Sequence, residues 1–250
     1  MKRLLFLTFA LVACDGSVTE PAAKPTLAVV ATVFSCTPTG FSRDGLVLTA
    51  ALINPGAVTT TVVDATGCDI GIYYNTTGSV DQSTVAGAKY FGIVNDGAAV
   101  DVTNSSISNI GDRPFSGAQH GVAIFYTTEH DVGVPTGTAS GTITGNSISL
   151  YQKGGITVRG DGASATILDN TVTGLGPVDF IAQNGIQVSF GASGVVRSNS
   201  VSGNDYTPAG TTSCGILLFG AAGVKVQENT YFANEANMCN FGKGGGNVSN

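Results

Sequence analysis

The fold is decided by a short segment that occurs three times in the second half of the chain. It appears as GITVRGDGASATILDNTV at residues 155–172, as GIQVSFGASGVVRSNSV at 185–201 and as GILLFGAAGVKVQENTY at 215–231. Each copy begins with Gly-Ile, alternates apolar and polar residues, and reaches an asparagine near its end. A repeat at an interval of 30 residues predicts a stack of similar units, because a unit of this size cannot bury its own apolar face.

Weaker copies with a Gly-Ile or Gly-Val start lie upstream. Six glycines mark the starts, at intervals of 21, 29, 34, 30 and 30 residues: Gly71, Gly92, Gly121, Gly155, Gly185 and Gly215. Each copy holds three short strand patterns of period two, and no helical period of useful length appears. Stacking pairs each strand in parallel with its copy in the next unit. The sequence therefore predicts an all-β fold, a single right-handed parallel β-helix of about six coils with an N-terminal cap.

Two columns of equivalent side chains are expected to run along the stack, with neighbours about 4.8 Å apart. The buried apolar column predicted from the glycine positions is Ile72, Ile93, Val122, Ile156, Ile186 and Ile216. The polar column consists of asparagines, with serines in the earlier coils: Ser83, Ser105, Asn146, Asn170, Asn199 and Asn229. Side-chain amides stacked at this spacing can hydrogen-bond from one coil to the next.

This G-I-x-V…N-x-V pattern resembles that of the right-handed parallel β-helix repeat proteins of the pectate-lyase-like class, over residues 62–235. The resemblance implies the fold and says little about activity, because this fold hosts lyases, hydrolases and adhesins. The lyases of the class rely on aspartate clusters that bind calcium and on a basic residue. No such motif can be placed here residue by residue, and the calcium-binding G-G-x-G-x-D nonapeptide is missing from the sequence. No catalytic residue, metal site or cofactor is therefore predicted.

Composition agrees with a β fold and excludes several classes of function. Of the 250 residues, 35 are glycine and 11% are charged, whereas charged residues make up about 25% of typical globular proteins. The formal net charge of −6 lacks the basic footprint that nucleic-acid binding requires. Neither a glycine-rich phosphate loop nor a G-x-S-x-G motif occurs, so nucleotide chemistry and serine hydrolysis have no support.

The first 13 residues have the features of a bacterial lipoprotein signal peptide. Lys2 and Arg3 precede an apolar run that is too short to span a bilayer, and the sequence from Leu11 to Cys14 resembles a lipobox. An ordinary cleaved signal, for which Cys14 would be incidental, is the alternative. We expect lipidation at Cys14, a polar tether over 14–25, and a location in the bacterial cell envelope, lipid-anchored and facing the periplasm or exterior.

The remaining chain divides into a cap and a repeat region. Residues 26–61 are predicted to cap the β-helix, because an open end would expose unpaired backbone and apolar interior. The β-helix is assigned to 62–240, and a flexible tail to 241–250. Four further cysteines are Cys36, Cys68, Cys214 and Cys239. Their even number in an oxidising compartment predicts disulfides, with three pairings open and unpaired thiols as the alternative.

Insertions follow the third strand of most coils, so stacking should place them along one side of the β-helix, called here the loop wall. The wall carries aromatic and acidic residues in successive coils: Asp112, Phe115, Tyr151, Asp179, Phe180, Asp205, Tyr206, Phe232 and Glu235. Aromatic faces stack on sugar rings and carboxylates accept hydroxyl hydrogen bonds, which predicts carbohydrate binding here. The simpler interpretation is that the acids cap turns and the rings shield the edge of the core.

Two acid arrangements could carry acid–base chemistry. Asp179 and Asp205 on adjacent coils are expected to come within the carboxylate separation of glycoside hydrolases, as any column of acids does in this fold. His120 and the run Glu-His-Asp at 129–131 flank the longest insertion, and a histidine beside a carboxylate can move protons or bind metal. Consecutive strand residues cannot converge on one ion, so we interpret this run as a solvated loop.

The sequence favours a membrane-tethered, non-catalytic β-helix protein of the cell envelope that binds polysaccharide along the loop wall. A polysaccharide lyase or glycoside hydrolase that uses the same wall is the first alternative, and a purely structural envelope protein is the second. The expected partners are a membrane, through the lipid anchor, and a polysaccharide. Nucleic acid is not an expected partner, calcium has no motif, and the sequence leaves the oligomeric state open.

Overall fold

The structure is a computed structural model in which residues 34–129, 137–242 and 248–249 are described. The signal peptide, Cys14, the tether and residues 130–131 lie outside the described residues. In chain order the strands are β1 (Thr37–Arg43), β2 (Leu46–Ile53), β3 (Ala57–Thr59), β4 (Val62–Asp64), β5 (Ile70–Tyr74), β6 (Gly78–Asp81), β7 (Thr84–Ala86), β8 (Phe91–Asp96), β9 (Val100–Thr103), β10 (Ser106–Ile110), β11 (Val122–Thr127), β12 (Thr142–Thr144), β13 (Ser147–Tyr151), β14 (Gly154–Arg159), β15 (Ser164–Leu168), β16 (Thr171–Val178), β17 (Asn184–Ser189), β18 (Ser193–Arg197), β19 (Ser200–Tyr206), β20 (Cys214–Phe219), β21 (Val224–Gln227), β22 (Thr230–Phe232), β23 (Ala236–Phe241) and β24 (Val248–Ser249).

These strands form three sheets that run along the β-helix. Sheet 1 has the order β1-β2-β5-β8-β11-β14-β17-β20-β23, sheet 2 the order β3-β6-β9-β12-β15-β18-β21-β24, and sheet 3 the order β4-β7-β10-β13-β16-β19-β22. From β2 onward the chain enters sheets 1, 2 and 3 in turn, and each strand pairs in parallel with its neighbour one coil away. The all-β, right-handed parallel β-helix predicted from the repeat is confirmed. Within the described residues, no helix is long and apolar enough to cross a membrane.

Parallel pairing extends beyond the six coil starts found in the sequence. β2 pairs with β5 and β3 with β6, so a coil already forms inside the segment assigned to the cap. At the other end β23 pairs with β20, and β24, inside the segment assigned to the tail, pairs with β21. Among the described strands only β1 is antiparallel, to β2, and it ends sheet 1 on the N-terminal side.

The interior column of apolar side chains is confirmed at five of its six predicted positions. Strand pairing places Ile124, not Val122, between Ile93 and Ile156. The corrected column is 0% exposed throughout: Ile72, Ile93, Ile124, Ile156, Ile186 and Ile216. Val122 lies beside Phe91 in a separate apolar cluster. Gly121 occupies a left-handed turn with a φ of 88°, so it is not equivalent to the other starting glycines.

The starting glycines are required where the first residues of sheet 1 approach sheet 3. A Cβ atom on Gly185 would lie 2.4 Å from Cγ1 of Val201 and 2.6 Å from the carbonyl oxygen of Gly215. Both distances are shorter than any side chain tolerates. Glycine therefore allows a close approach at this position, which Ala123 occupies in the coil of β11.

The predicted amide column is a hydrogen-bonded ladder on the turn between sheets 2 and 3. The Nδ2 amides of Asn146, Asn170 and Asn199 each donate at 2.9 Å to the Oδ1 atom of the next asparagine. The residue before each ladder position has a positive φ, namely Gln82, Asn104, Gly145, Asp169, Ser198 and Glu228, and so does Thr60 at the equivalent turn of the preceding coil. One left-handed residue per coil produces the same tight bend in each coil.

The four cysteines form the local pairing of the three that the sequence allows. Cys36 is bonded to Cys68, and Cys214 to Cys239, with Cα atoms 5.3 and 5.9 Å apart. The first bridge joins the residue before β1 to the loop before β5, and the second joins β20 to β23. Each bridge therefore fastens one end of sheet 1.

Candidate functional site

A groove lies on the outer face of sheet 1, along its C-terminal half. The smaller of two adjoining cavities, about 140 Å³, lies among Arg43, Phe125, Thr157, Arg159 and further residues. The larger, about 610 Å³, lies among Asn184, Phe190, Phe219, Phe241 and further residues. The two cavities share Gln119, Lys153 and Gln187 in their linings, so they adjoin, and together they are called here the sheet-1 groove.

Lys153 stands at the junction of the two cavities. It lies in the short loop between β13 and β14, and its Nζ donates to the carbonyl oxygen of Ala182 at 2.8 Å. Burial lowers the pKa of this ammonium group. Among the described residues no carboxylate forms an ion pair with it. A half-buried ammonium of this kind favours an anionic ligand, since burying a charge is costly unless it is paired.

Arg159 and Phe190 form a fixed side of the groove. The Nε of Arg159 donates to Oε2 of Glu129 at 2.9 Å, and its Cζ lies 3.8 Å from the centre of the Phe190 ring. Phe190 has a φ of 55°, which is unfavourable for a bulky residue. Strained residues persist where the surroundings hold them, and they concentrate at functional sites.

Exposed aromatic rings and amide groups line the larger cavity. Phe190, Phe219 and Phe241 are 43%, 43% and 50% exposed, and the first two ring centres are 5.3 Å apart. Gln187 Nε2 donates to Ser189 Oγ at 3.1 Å, and Asn184 lies beside it. Flat apolar rings next to amides and one cation suit a sugar ring that carries hydroxyl groups and a carboxylate.

The N-terminal half of the same face is covered. Its outward residues Tyr73, Val94 and Phe125 are 1%, 0% and 3% exposed. They pack with Phe41 of β1 and Phe91 of β8 in an apolar cluster separate from the interior. The part of the β1–β2 hairpin that carries Phe41 and Leu48 therefore lies over the first coils.

A third cavity, about 690 Å³, lies at the corner between sheets 3 and 1. Asp112 accepts hydrogen bonds there from the Ser116 hydroxyl and from His120 Nε2, the latter at 3.0 Å. Partial burial raises the pKa of Asp112, but these bonds and the charges of His120 and Lys89 outweigh it, so the pKa is lowered. The His120 ring also stacks on Tyr90 at 4.1 Å. Because serine and histidine both bond the carboxylate rather than each other, the cluster holds the 111–121 loop and does not form a nucleophile–base pair.

The predicted loop-wall residues all lie on or after the last strand of a coil, between sheets 3 and 1, but not all of them reach the surface. Asp112 and Phe115 line the corner cavity. The prediction for Tyr151 is wrong, because this side chain is 0% exposed and its hydroxyl donates to Asn204 Oδ1 at 2.6 Å. The physical reason is the positive φ of 50° at Leu150, which reverses the alternation at the end of β13. Leu150 faces solvent and Tyr151 turns inward.

The other wall residues lie beside the groove or at the C-terminal end. Asp205 and Tyr206 pair with Pro177 and Val178 at the ends of β19 and β16. The acids and rings that line neither cavity of the groove are Asp179, Phe180, Asp205, Tyr206, Phe232 and Glu235. Phe232 is 78% exposed on the edge strand β22, and Glu235 accepts a hydrogen bond from the backbone of Ser213 at 2.8 Å. Carbohydrate binding by these residues stays a prediction.

The cluster of His120 and residues 129–131 does not converge in its described members. His120 bonds Asp112, whereas Glu129 pairs with Arg159. In the part of the chain that the structure describes, no group of three or more His, Cys, Asp or Glu could hold a metal ion.

Sequence reasoning missed the residues that line the groove. One signal was present: a Phe-Gly pair ends successive strands of sheet 1, at 190–191, 219–220 and 241–242. Lys153 carried no comparable signal, because its position depends on how the loop before β14 meets the loop before β17.

Comparison with known proteins agrees with the fold. No match was found among the curated proteins. Among solved structures, the alginate lyase of Paenibacillus sp. str. FPU-7 is similar at 13% identity and a TM-score of 0.50, over 75% of this chain and 76% of that one. The DFA-IIIase of Arthrobacter chlorophenolicus A6, in complex with GF2, is similar at 13% identity and a TM-score of 0.28, over 73% and 60%. The first likeness shows a shared fold alone.

The family match is broader. The family model described as "Right handed beta helix region" matches residues 49–250. These limits include β3–β24 and most of β2. Because the match covers well over half of the chain, the protein belongs to the right handed beta helix region family.

Proposed function

We propose that this protein binds an acidic polysaccharide in the sheet-1 groove, as a non-catalytic receptor tethered to the bacterial cell envelope. The observation that carries the proposal is Lys153, an ammonium group without a carboxylate partner among the described residues, at the junction of two cavities. A chain with a net charge of −6 repels polyanions at long range. The Lys153 ammonium, which no described carboxylate neutralises, therefore favours recognition of one carboxylate inside the groove over general attraction.

The aromatic residues of the groove supply the second part of the argument. Phe190, Phe219 and Phe241 present ring surface to the larger cavity. Exposed aromatic rings that lie together are uncommon on a protein that binds nothing. A uronate unit would place its ring on this surface and its carboxylate on Lys153.

Titration calorimetry on the full chain in detergent micelles tests the proposal. Sodium alginate and polygalacturonate should bind, while starch and mannan should bind much more weakly. Lys153→Met should weaken polyuronate binding about tenfold, the usual scale for one lost charge-assisted hydrogen bond. Lys225→Met is the matched control, since Lys225 is exposed on β21 of sheet 2, away from the groove. Absence of binding to every glycan, or equal binding by the Lys153 variant, would contradict the proposal.

A polysaccharide lyase is the second candidate, and the lowered pKa of Lys153 favours it. An amine with a lowered pKa can remove the proton next to a uronate carboxylate. The glycosidic bond then breaks as the carbon–carbon double bond forms. Incubation with alginate or polygalacturonate would generate the ultraviolet absorbance of unsaturated uronate ends. An unchanged absorbance together with measured binding supports the non-catalytic receptor.

The envelope tether is a further part of the proposal and has its own test. Its support is the lipobox-like Leu11-Val12-Ala13-Cys14, together with two disulfides that are typical of exported proteins. Cys14→Ser should abolish incorporation of labelled palmitate and move the protein from the membrane to the soluble fraction, or leave it unprocessed. Palmitate incorporation by that variant would contradict the lipidation.

A further inference from the structure

We propose that the sheet-1 groove is closed at its N-terminal end and therefore receives the terminus of an acidic glycan chain rather than a segment from its interior. This inference rests on the proposed function and specifies which part of the polysaccharide is recognised. It follows from three features: a cover over the first coils, a small end cavity and a rigid attachment of the cover.

The cover is the part of the β1–β2 hairpin that carries Phe41 and Leu48, before β2 pairs with β5. Phe41 of β1 is 0% exposed, and its ring centre lies 6.0 Å from that of Tyr73 and 6.1 Å from that of Phe91. Both partners face outward from sheet 1 and belong to the same apolar cluster. No room for a ligand is left on this part of the face.

The hairpin reaches the start of the groove. Arg43, the last residue of β1, places its Cζ 6.0 Å from the centre of the Phe125 ring on β11. β11 is three strands away from β2 in sheet 1, about 14 Å at the usual strand spacing. Arg43 and Phe125 thus line the smaller cavity on its N-terminal side, opposite Thr157 and Gln187.

The end cavity is small and can admit only the tip of a glycan chain. Its volume is about 140 Å³, and a cavity of about 150 Å³ accommodates one benzene-sized ligand. The adjoining cavity of about 610 Å³ holds the next units. Lys153 lies between them, where it would meet the carboxylate of the terminal unit.

The closed end is held in place by several bonds. The Cys36–Cys68 disulfide anchors the residue before β1 to the first coil. Asp69 Oδ2 accepts hydrogen bonds from both the backbone amide and the hydroxyl of Thr49, each at 2.9 Å. Such anchoring argues against a hairpin that swings aside to let a chain pass. At the other end Phe241 stands on the last described strand of sheet 1 and is 50% exposed.

The number of proteins bound per glycan chain tests this inference. Light scattering on mixtures of the full chain with long polygalacturonate, in protein excess, should give one bound protein per polymer chain. A short oligogalacturonate should compete with the polymer in proportion to its chain ends rather than its mass. Several proteins per polymer chain would overturn the inference and leave the proposed function standing. Failure of both polymer and oligomer to bind would instead overturn the proposed function.

A variant that fills the end cavity gives an independent readout. Thr157→Phe places a ring in the smaller cavity, and it should weaken binding of polymer and oligomer alike by about tenfold or more. Val195→Phe, on half-buried sheet-2 backbone away from the groove, is the matched control. Unchanged binding by a folded Thr157→Phe protein would show that the terminus does not enter the end cavity. If the Thr157→Phe variant does not fold, the number of wild-type proteins bound per polymer chain tests the inference.

Discussion

The two halves of the outer face of sheet 1 belong to the same ladder of backbone hydrogen bonds but differ in exposure. The N-terminal half is buried, and the C-terminal half lines the groove. One outward column runs Tyr73, Val94 and Phe125 in the first half, and Thr157, Gln187 and Leu217 in the second. The first three are buried under the hairpin, whereas two of the second three are partly exposed and all three line the groove. The interior determines strand spacing and leaves the outward residues free to differ, so a binding site can form wherever the cover ends.

The largest loss of stability is expected from a change in the interior column, which lies beneath both halves. Ile93 and Ile186 lie in the interior column beneath the covered and the open half, and both are 0% exposed. Ile93→Asp or Ile186→Asp buries an unpaired charge that costs several kcal/mol, so neither variant should fold, as circular dichroism would report. Ile93→Ala and Ile186→Ala should each lose about 2–5 kcal/mol of unfolding free energy. A much smaller loss in one half would mean that the column is not continuous.

The next prediction separates the two halves. Phe41→Ala removes the buried ring of the cover and should lower the unfolding free energy by about 3–5 kcal/mol. Phe219→Ala removes a ring that is 43% exposed and should change stability by less than about 1 kcal/mol while weakening polyuronate binding. Denaturant titration and calorimetry on the same samples provide both numbers. Equal stability losses would mean that Phe219 belongs to the core and not to the groove.

A change far from both halves tests whether stability and binding are independent. Asn170 is 1% exposed and bonds Asn146, Asn199 and the carbonyl oxygen of Ile143. Asn170→Ala leaves buried polar groups without partners and should cost about 1–3 kcal/mol. Glycan affinity at a temperature where the protein stays folded should not change. Loss of affinity in the folded variant would indicate that the ladder is coupled to the groove.

The sequence predicts what the repeat period controls and little of what depends on insertions. The column through Ile156, Ile186 and Ile216 could be predicted from the sequence because those coils have equal length. Val122 was misplaced because variable loops flank β11, and Tyr151 because a left-handed residue at Leu150 breaks the period of two. The groove could not be predicted from the sequence, for a different reason. Lys153 and Phe190 meet only after three-dimensional stacking brings their loops together.

A smaller effect should appear in the pH dependence of binding to the open half. Burial lowers the pKa of Lys153 from the usual value of about 10.4, so its charge is lost at a lower pH than that of an ordinary lysine. Polyuronate affinity should fall by about tenfold, or ~1.4 kcal/mol, as pH rises through that pKa. Lys153→Arg should retain affinity to higher pH.

The sign for stability is the reverse of that for binding. A lowered folded-state pKa means that the fold disfavours the charged lysine, so the penalty is present at low pH and disappears as pH rises past the unfolded value. An affinity that is flat with pH in the wild type and in Lys153→Arg would show that Lys153 does not meet the carboxylate.

The smallest expected effect compares two left-handed residues, one in the groove and one outside it. Glu228 has a φ of 54° on the turn between sheets 2 and 3, and Phe190 a φ of 55° beside the groove. Glycine removes the energetic penalty of the left-handed conformation, about 1–2 kcal/mol. It also gives the unfolded chain more conformational entropy, which lowers the free energy of unfolding by about 0.4–1 kcal/mol. Glu228→Gly should therefore stabilise the protein by up to about 1.6 kcal/mol and leave binding unchanged. Phe190→Gly relieves the same strain but removes the ring that Arg159 stacks on, so it should bring no gain in stability and should weaken polyuronate binding.

Thermal unfolding and calorimetry on both variants would distinguish strain that serves only the turn from strain that holds a ligand-binding ring. A Phe190→Gly protein that is more stable and binds as well as the wild type would show that the ring has no role in the groove.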